Sequence, residues 1–165
     1  MSAKQIEKLI EGINILLADQ NQYTRKLTRM MLMNIGVKSI CEAADGIAAV
    51  DIIRTAKPDV AILDWEMPML SGHEIMRIVR SPGVYSNPHL PIIVLTASAH
   101  RSRVNEAIRL GVHEFLRKPT SPGALRDRLL SILVKPRPMV QIGEFYVPKP
   151  RRSATQSDLA PAVEC

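Results

Sequence analysis

Cysteine is nearly absent: Cys41 and Cys165 are the only two in 165 residues. Two thiols so placed build no disulfide framework, so a reducing compartment, the cytoplasm, is expected. With Cys165 last there is no prenylation box. Long apolar runs are missing too. Nothing approaches the roughly 18 residues needed to span a membrane, and Met1 to Lys8 mixes charges where a secretory signal would carry an apolar core. Charge of one sign is nowhere concentrated. The formal net charge is +6, yet 17 Lys/Arg face 13 Asp/Glu in residues 1–134, and 5 face 3 in residues 135–165. An excess so diffuse reads first as a solvated surface and only second as an attraction for nucleic acid. No internal repeat is visible. His73, His89, His100 and His113 show no metal-ligand spacing and read as surface or hydrogen-bonded core residues.

What the chain does have is alternation. Short apolar runs at Ile13–Ala18, Ser39–Ala43, Val60–Leu63, Leu90–Thr96 and Glu114–Lys118 read as strands. Between and after them, helical spacing covers Tyr23–Ile35, Ile47–Ala56, Ser71–Arg80, Ser102–Leu110 and Ser121–Val134, with Gly36 and Gly111 as stops. Leu27, Met30, Met31 and Ile35 are expected inward on the first of these, and Ile47, Val50 and Ile53 on the second. The Met30, Met31 and Met33 group reads as core packing. Five strand–helix units in a row predict an α/β fold, a doubly wound five-stranded parallel sheet with helices on both faces. Residues 1–11 form an extension expected to be helical, and 12–134 the domain.

Asp64 ends the run Pro58-Asp59-Val60-Ala61-Ile62-Leu63-Asp64-Trp65-Glu66-Met67-Pro68. A carboxylate closing a buried strand is costly unless it has a metal, a cation or a chemical role. Asp19, Thr96 and Lys118 also stand at strand ends, and a doubly wound sheet brings such ends to one rim. Two carboxylates can hold Mg²⁺, which prefers oxygen ligands and keeps several waters. An ammonium and a hydroxyl can meet a phosphoryl group, whose transfer depends mostly on positioning and charge. Asp64 is then the candidate nucleophile of an aspartyl phosphate.

Five segments carry a resemblance: Leu16-Leu17-Ala18-Asp19, Ala44-Asp45-Gly46, Leu63 to Pro68 with Gly72, Leu95-Thr96-Ala97, and Arg117-Lys118-Pro119. In that order and at strand ends, they resemble the receiver domain of response regulators in two-component signalling, a flavodoxin-like fold. The resemblance implies phosphorylation of Asp64 by a phosphohistidine on a sensor histidine kinase or phosphotransfer protein. It implies that Lys118 contacts the phosphoryl group, and that Thr96 and the ring of Phe115 reorient. It places Asp19, Asp64 and the backbone carbonyl of Glu66 around Mg²⁺. One departure stands out. Receivers usually carry an acidic pair after the first strand, whereas here Gln20 follows Asp19. That removes one negative charge and weakens the cation site, unless the Glu66 side chain points inward and compensates.

Residues 135–152 are bracketed by Pro136, Pro138, Pro148 and Pro150, with an apolar stretch at 139–147. It reads as a single strand, bent at Gly143, that adds to a sheet edge on a second copy or else folds back on its own domain. Residues 153–165 read as a disordered tail. No output domain is recognisable after residue 134, so a stand-alone regulator that signals by protein contact is expected. A pseudo-receiver binding module is the alternative. A homodimer is expected through the arm or through the last two helices, which carry Arg101, Arg103, Arg109, Arg126 and Arg128. A nucleic-acid role for Lys149-Pro150-Arg151-Arg152 is disfavoured, because that stretch is short and proline-rich.

Overall fold

The structure is a computed structural model that describes residues 1–150. In chain order the elements are α1 (Ala3–Glu11), β1 (Asn14–Ala18), α2 (Gln22–Ile35), β2 (Ser39–Ala43), α3 (Gly46–Ala56), β3 (Val60–Leu63), α4 (Gly72–Arg80), β4 (Ile92–Thr96), α5 (Arg101–Arg109), β5 (Glu114–Arg117), α6 (Pro122–Val134), β6 (Met139–Ile142) and β7 (Phe145–Pro148). The five expected strands form one parallel sheet in the order β2-β1-β3-β4-β5. The order reverses at β1, which sets a crevice at the carboxyl ends of β1 and β3, where Asp19 and Asp64 follow their strands.

Alternation along the strands splits the core in two. Leu16, Ala18, Ala61, Leu63, Val94 and Phe115 face the layer that includes α3, α4 and α5. Ile15, Leu17, Val60, Ile62, Ile93, Leu95 and Leu116 face the layer of α1, α2 and α6. Side-chain oxygens start every described helix but α5. Asn21 accepts from the Tyr23 and Thr24 amides, Asp45 from Ala48, and Ser121 from Ala124, ahead of Pro122 at the first helical position. Ser2 and Ser71 each form a reciprocal capping box, with Gln5 and Glu74. Among the described residues no helix is long and apolar enough to cross a membrane.

Two expectations about burial are corrected. Met30 and Met33 are not core: they are 57% and 56% exposed, and Leu27 is exposed too. Thr28 and Leu32 take the inward face of α2. Thr28 can be buried because its hydroxyl donates to the Thr24 carbonyl at 3.0 Å, which removes the cost that would keep a threonine outside. On α3, Ile47 is exposed, while Ala49 and Ile53 are inside.

The arm is also corrected. Residues 139–148 do not form one strand. They form an antiparallel hairpin, β6 with β7, closed by Gly143-Glu144. Gly143 takes φ 61°, as the first position of a tight two-residue hairpin loop requires. The hairpin packs against its own domain, at the amino ends of the strands. The Tyr146 ring meets His89 edge-on at 4.7 Å, and Arg137 Nη2 donates to the His113 carbonyl at 2.5 Å. Val147 and Pro148 are buried. The expected tail, Arg151, Arg152 and Cys165 lie outside the described residues.

Candidate functional site

Asp19 is buried directly after β1, and every oxygen it carries is engaged. Oδ1 accepts from the Asn21 amide at 2.9 Å. Oδ2 accepts from the Thr24 hydroxyl at 2.7 Å and from Lys118 Nζ at 2.5 Å. Its carbonyl accepts from Arg25 Nη1 at 2.6 Å. Asp64 follows β3 and is half-buried. Its Oδ2 accepts from Lys118 Nζ at 3.0 Å, and its Oδ1 from the Glu66 amide at 3.2 Å. Burial pushes the Asp64 carboxyl above the usual range. Lys118 and the Glu66 amide oppose that push, and the neighbouring Asp19 charge adds to it slightly.

Lys118 therefore bridges two carboxylates from two strands, and its own amide donates to the Thr96 carbonyl at 2.7 Å. Thr96 ends β4 and is buried; its hydroxyl accepts from the Ser98 amide at 3.3 Å, so it stands on the rim without bonding Asp64. Phe115 is buried on β5 beside Val94. The sheet thus brings Asp19, Asp64 and Lys118 into contact, sets Thr96 beside them, and keeps the Phe115 ring inside.

Gln20 and Glu66 meet in a way the sequence did not disclose. Gln20 Nε2 donates to the Glu66 backbone carbonyl at 3.0 Å. The Glu66 side chain does not turn inward to replace the missing carboxylate. It pairs with Arg103 on α5, because an exposed glutamate next to a guanidinium has no reason to enter a site already holding two carboxylates. On the same side, His73 of α4 pairs with Glu106 of α5. An open cleft of about 520 Å³ lies beside the Asp64 loop, lined by Gln20, Trp65, Glu66, Met67, Arg103 and Glu106 among others. Gly72 lets the loop close on itself: a Cβ there would come within 2.5 Å of the Trp65 ring.

Two carboxylates and one backbone carbonyl on a single rim make an all-oxygen donor set, which suits Mg²⁺ with waters completing its shell. Among the described residues no third Asp, Glu, His or Cys joins them. The fit therefore holds, with one acidic ligand fewer than the receiver pattern. Thr24 and Arg25 escaped sequence reasoning, as did the pairing of Arg103 with Glu66. The first two orient Asp19 from the first turn of α2, and only their place three and four residues after Gln20-Asn21 hints at it.

A doubly wound parallel sheet with two carboxylates and a lysine at its switch point defines a flavodoxin-like domain of the receiver class. The chain belongs to the response regulator receiver domain family, whose family model matches residues 15–130. It is similar to the chemotaxis protein CheY-3 of Vibrio cholerae, 28% identical over 73% of this chain and 92% of that protein. It is 30% identical to a chemotaxis protein CheY homolog of Campylobacter jejuni, again over 73% and 92%. Among solved structures, the receiver domain of a sensor histidine kinase from Pseudomonas aeruginosa PAO1, with a magnesium ion in its active-site cleft, matches with TM-score 0.65 and 29% identity over 74% of this chain and 98% of that one. Vibrio cholerae CheY4 also matches at TM-score 0.65, with 29% identity over 73% and 98%.

Proposed function

We propose that this protein is a response regulator that accepts a phosphoryl group on Asp64 and passes the signal on by direct protein contact in the cytoplasm. The donor is the phosphohistidine of a sensor histidine kinase or phosphotransfer protein. One observation carries this reading: the Lys118 ammonium lies between the Asp19 and Asp64 carboxylates, 2.5 and 3.0 Å away.

In the transfer, an Asp64 carboxylate oxygen attacks phosphorus and the P–N bond of the phosphohistidine breaks. Its electron pair leaves on the imidazole, which takes up a proton, and an acyl phosphate remains on Asp64. Lys118 neutralises the incoming oxygens without moving between elements, because its backbone is tied to Thr96. The Thr96 hydroxyl, held by nothing stronger than the Ser98 amide, is available to bond a phosphoryl oxygen. Its movement opens room toward β5, where the Phe115 ring follows. Asp19, Asp64 and the Glu66 carbonyl would hold Mg²⁺, which supplies positive charge against the phosphoryl oxygens when bound. Turnover of a small-molecule substrate is no part of this reading.

The pseudo-receiver alternative rests on Gln20, whose amide occupies the Glu66 carbonyl. Incubation with a small phosphodonor, with and without Mg²⁺, followed by intact-mass measurement separates the two. A gain of one phosphoryl mass that needs Mg²⁺ and is lost in Asp64→Asn supports the regulator. No gain under any condition supports the binding module.

A further inference from the structure

The hairpin has one closed edge and one open edge. Ile142 and Phe145 flank the two-residue loop, so they exchange hydrogen bonds, as do Val140 with Val147 two residues further on. The Lys149 amide donating to the Pro138 carbonyl at 2.8 Å continues the same pattern. Outward groups therefore belong to Tyr146 and Pro148 on β7, and to Met139 and Gln141 on β6. The β7 edge is blocked. Pro148 has no N–H to offer, and the Tyr146 carbonyl faces α5's end, 2.6 Å from where a Cβ on Gly111 would stand. Among the described residues the β6 edge pairs with no strand but β7, and beside it Ile142 is 62% exposed. An unpaired edge carrying an exposed isoleucine is a template for another strand.

We infer that β6 pairs antiparallel with β6 of a second copy, around a two-fold axis through Val140. This is independent of whether Asp64 is phosphorylated. Self-pairing satisfies every outward group at once: Met139 exchanges both its bonds with the partner's Gln141, and Gln141 with the partner's Met139. Val140 faces the partner's Val140 as a non-hydrogen-bonded pair. Two hairpins become a four-stranded sheet, past the point where a two-stranded ribbon is marginal. Ile142 then lies beside the partner's Pro138. Glu144, which makes no ion pair among the described residues, comes next to the partner's Lys135–Arg137 stretch, so the ends of the interface are complementary in charge. A heterologous partner would not be required to match at both ends by symmetry; a second copy does so by construction.

The test uses the full chain in light scattering and sedimentation over a range of concentrations. Wild type should rise from the mass of one chain toward two. Gln141→Pro removes an outward N–H at an edge position that tolerates proline, and should stay at the mass of one with an unchanged thermal midpoint. Glu144→Lys should weaken association, and adding Lys135→Glu should restore it. In a Cys41→Ser, Cys165→Ser background, oxidised Val140→Cys should run as a covalent dimer and Ile142→Cys should not. A wild type that stays monomeric at ~1 mM, where even weak pairs associate, overturns the inference. So does a dimer that survives Gln141→Pro, which would place the contact elsewhere, such as on the last two helices.

Discussion

At the carboxyl ends of the strands Lys118 sits between two carboxylates; at the amino ends Arg80 sits among carbonyl oxygens. Both cations are buried, Lys118 nearly and Arg80 fully. Arg80 donates to the carbonyls of Gly111, Pro88 and Leu90 at 3.1, 2.7 and 2.5 Å, and approaches His113 Nδ1 at 3.2 Å. Burial lowers its pKa to about 9, still well above neutrality. His113 beside it is pushed down to about 3, first by burial and then by the charges of Arg80 and Arg137, so it stays neutral where the protein works. The difference between the ends is one of exchangeability. Lys118 faces negative groups that a phosphoryl group can join, so its contacts can be redistributed. Arg80 faces fixed dipoles of the backbone, so its contacts join α4 to the turns before β4 and β5 and have nothing to exchange with.

That contrast can be broken first at the base. Arg80→Met should cost about 3–5 kcal/mol in denaturant unfolding, because it strands several buried carbonyls at roughly 1–3 kcal/mol each, while Asp64 and its neighbours keep their contacts. At the rim, Lys118→Ala should lower the phosphorylation rate of Asp64 by about a hundredfold or more, the usual loss when one positioned electrostatic donor is removed. Its effect on unfolding should be smaller than that of Arg80→Met. Equal effects of both variants on stability and on rate would erase the distinction.

Gln20→Asp sharpens the comparison by making the rim more acidic. It restores a negative ligand and removes the amide from the Glu66 carbonyl. Mg²⁺ should then bind about tenfold tighter, a change of ~1.4 kcal/mol. Trp65, the only tryptophan and next to Asp64, reports this by fluorescence titration. The smallest effect is on stability. The Asp64 carboxyl is raised by burial, so the folded state holds that proton more tightly than the unfolded chain. Ionised Asp64 therefore costs stability above its folded pKa, and the cost fades as pH falls through it. Asp64→Asn should raise the thermal midpoint at neutral pH, and the gap to wild type should close in acid.

Legibility followed the same division. Asp19, Asp64, Thr96 and Lys118 were readable because each ends an apolar run, and the parallel alternation itself brings such ends together. The base was not. Arg80 looked like the polar end of a helix, since its partners Gly111 and Leu90 lie 31 and 10 residues on and announce nothing locally. The hairpin looked like one strand because only Gly143-Glu144 separates two four-residue apolar pieces. On α2, Thr28 went inside because its hydroxyl found a carbonyl one turn back, a contact that a hydrophobic pattern does not register. The direction of the Glu66 side chain depended on Arg103, 37 residues away.

The central claim is that Asp64 carries the phosphoryl group. An acyl phosphate, unlike an aspartate, is reduced by borohydride to the alcohol. Phosphorylated protein should be treated with borohydride, digested, and sequenced by tandem mass spectrometry. Homoserine at position 64, and at no other aspartate, is the expected result. Reduction at Asp19, Asp59 or elsewhere with position 64 intact would contradict the assignment.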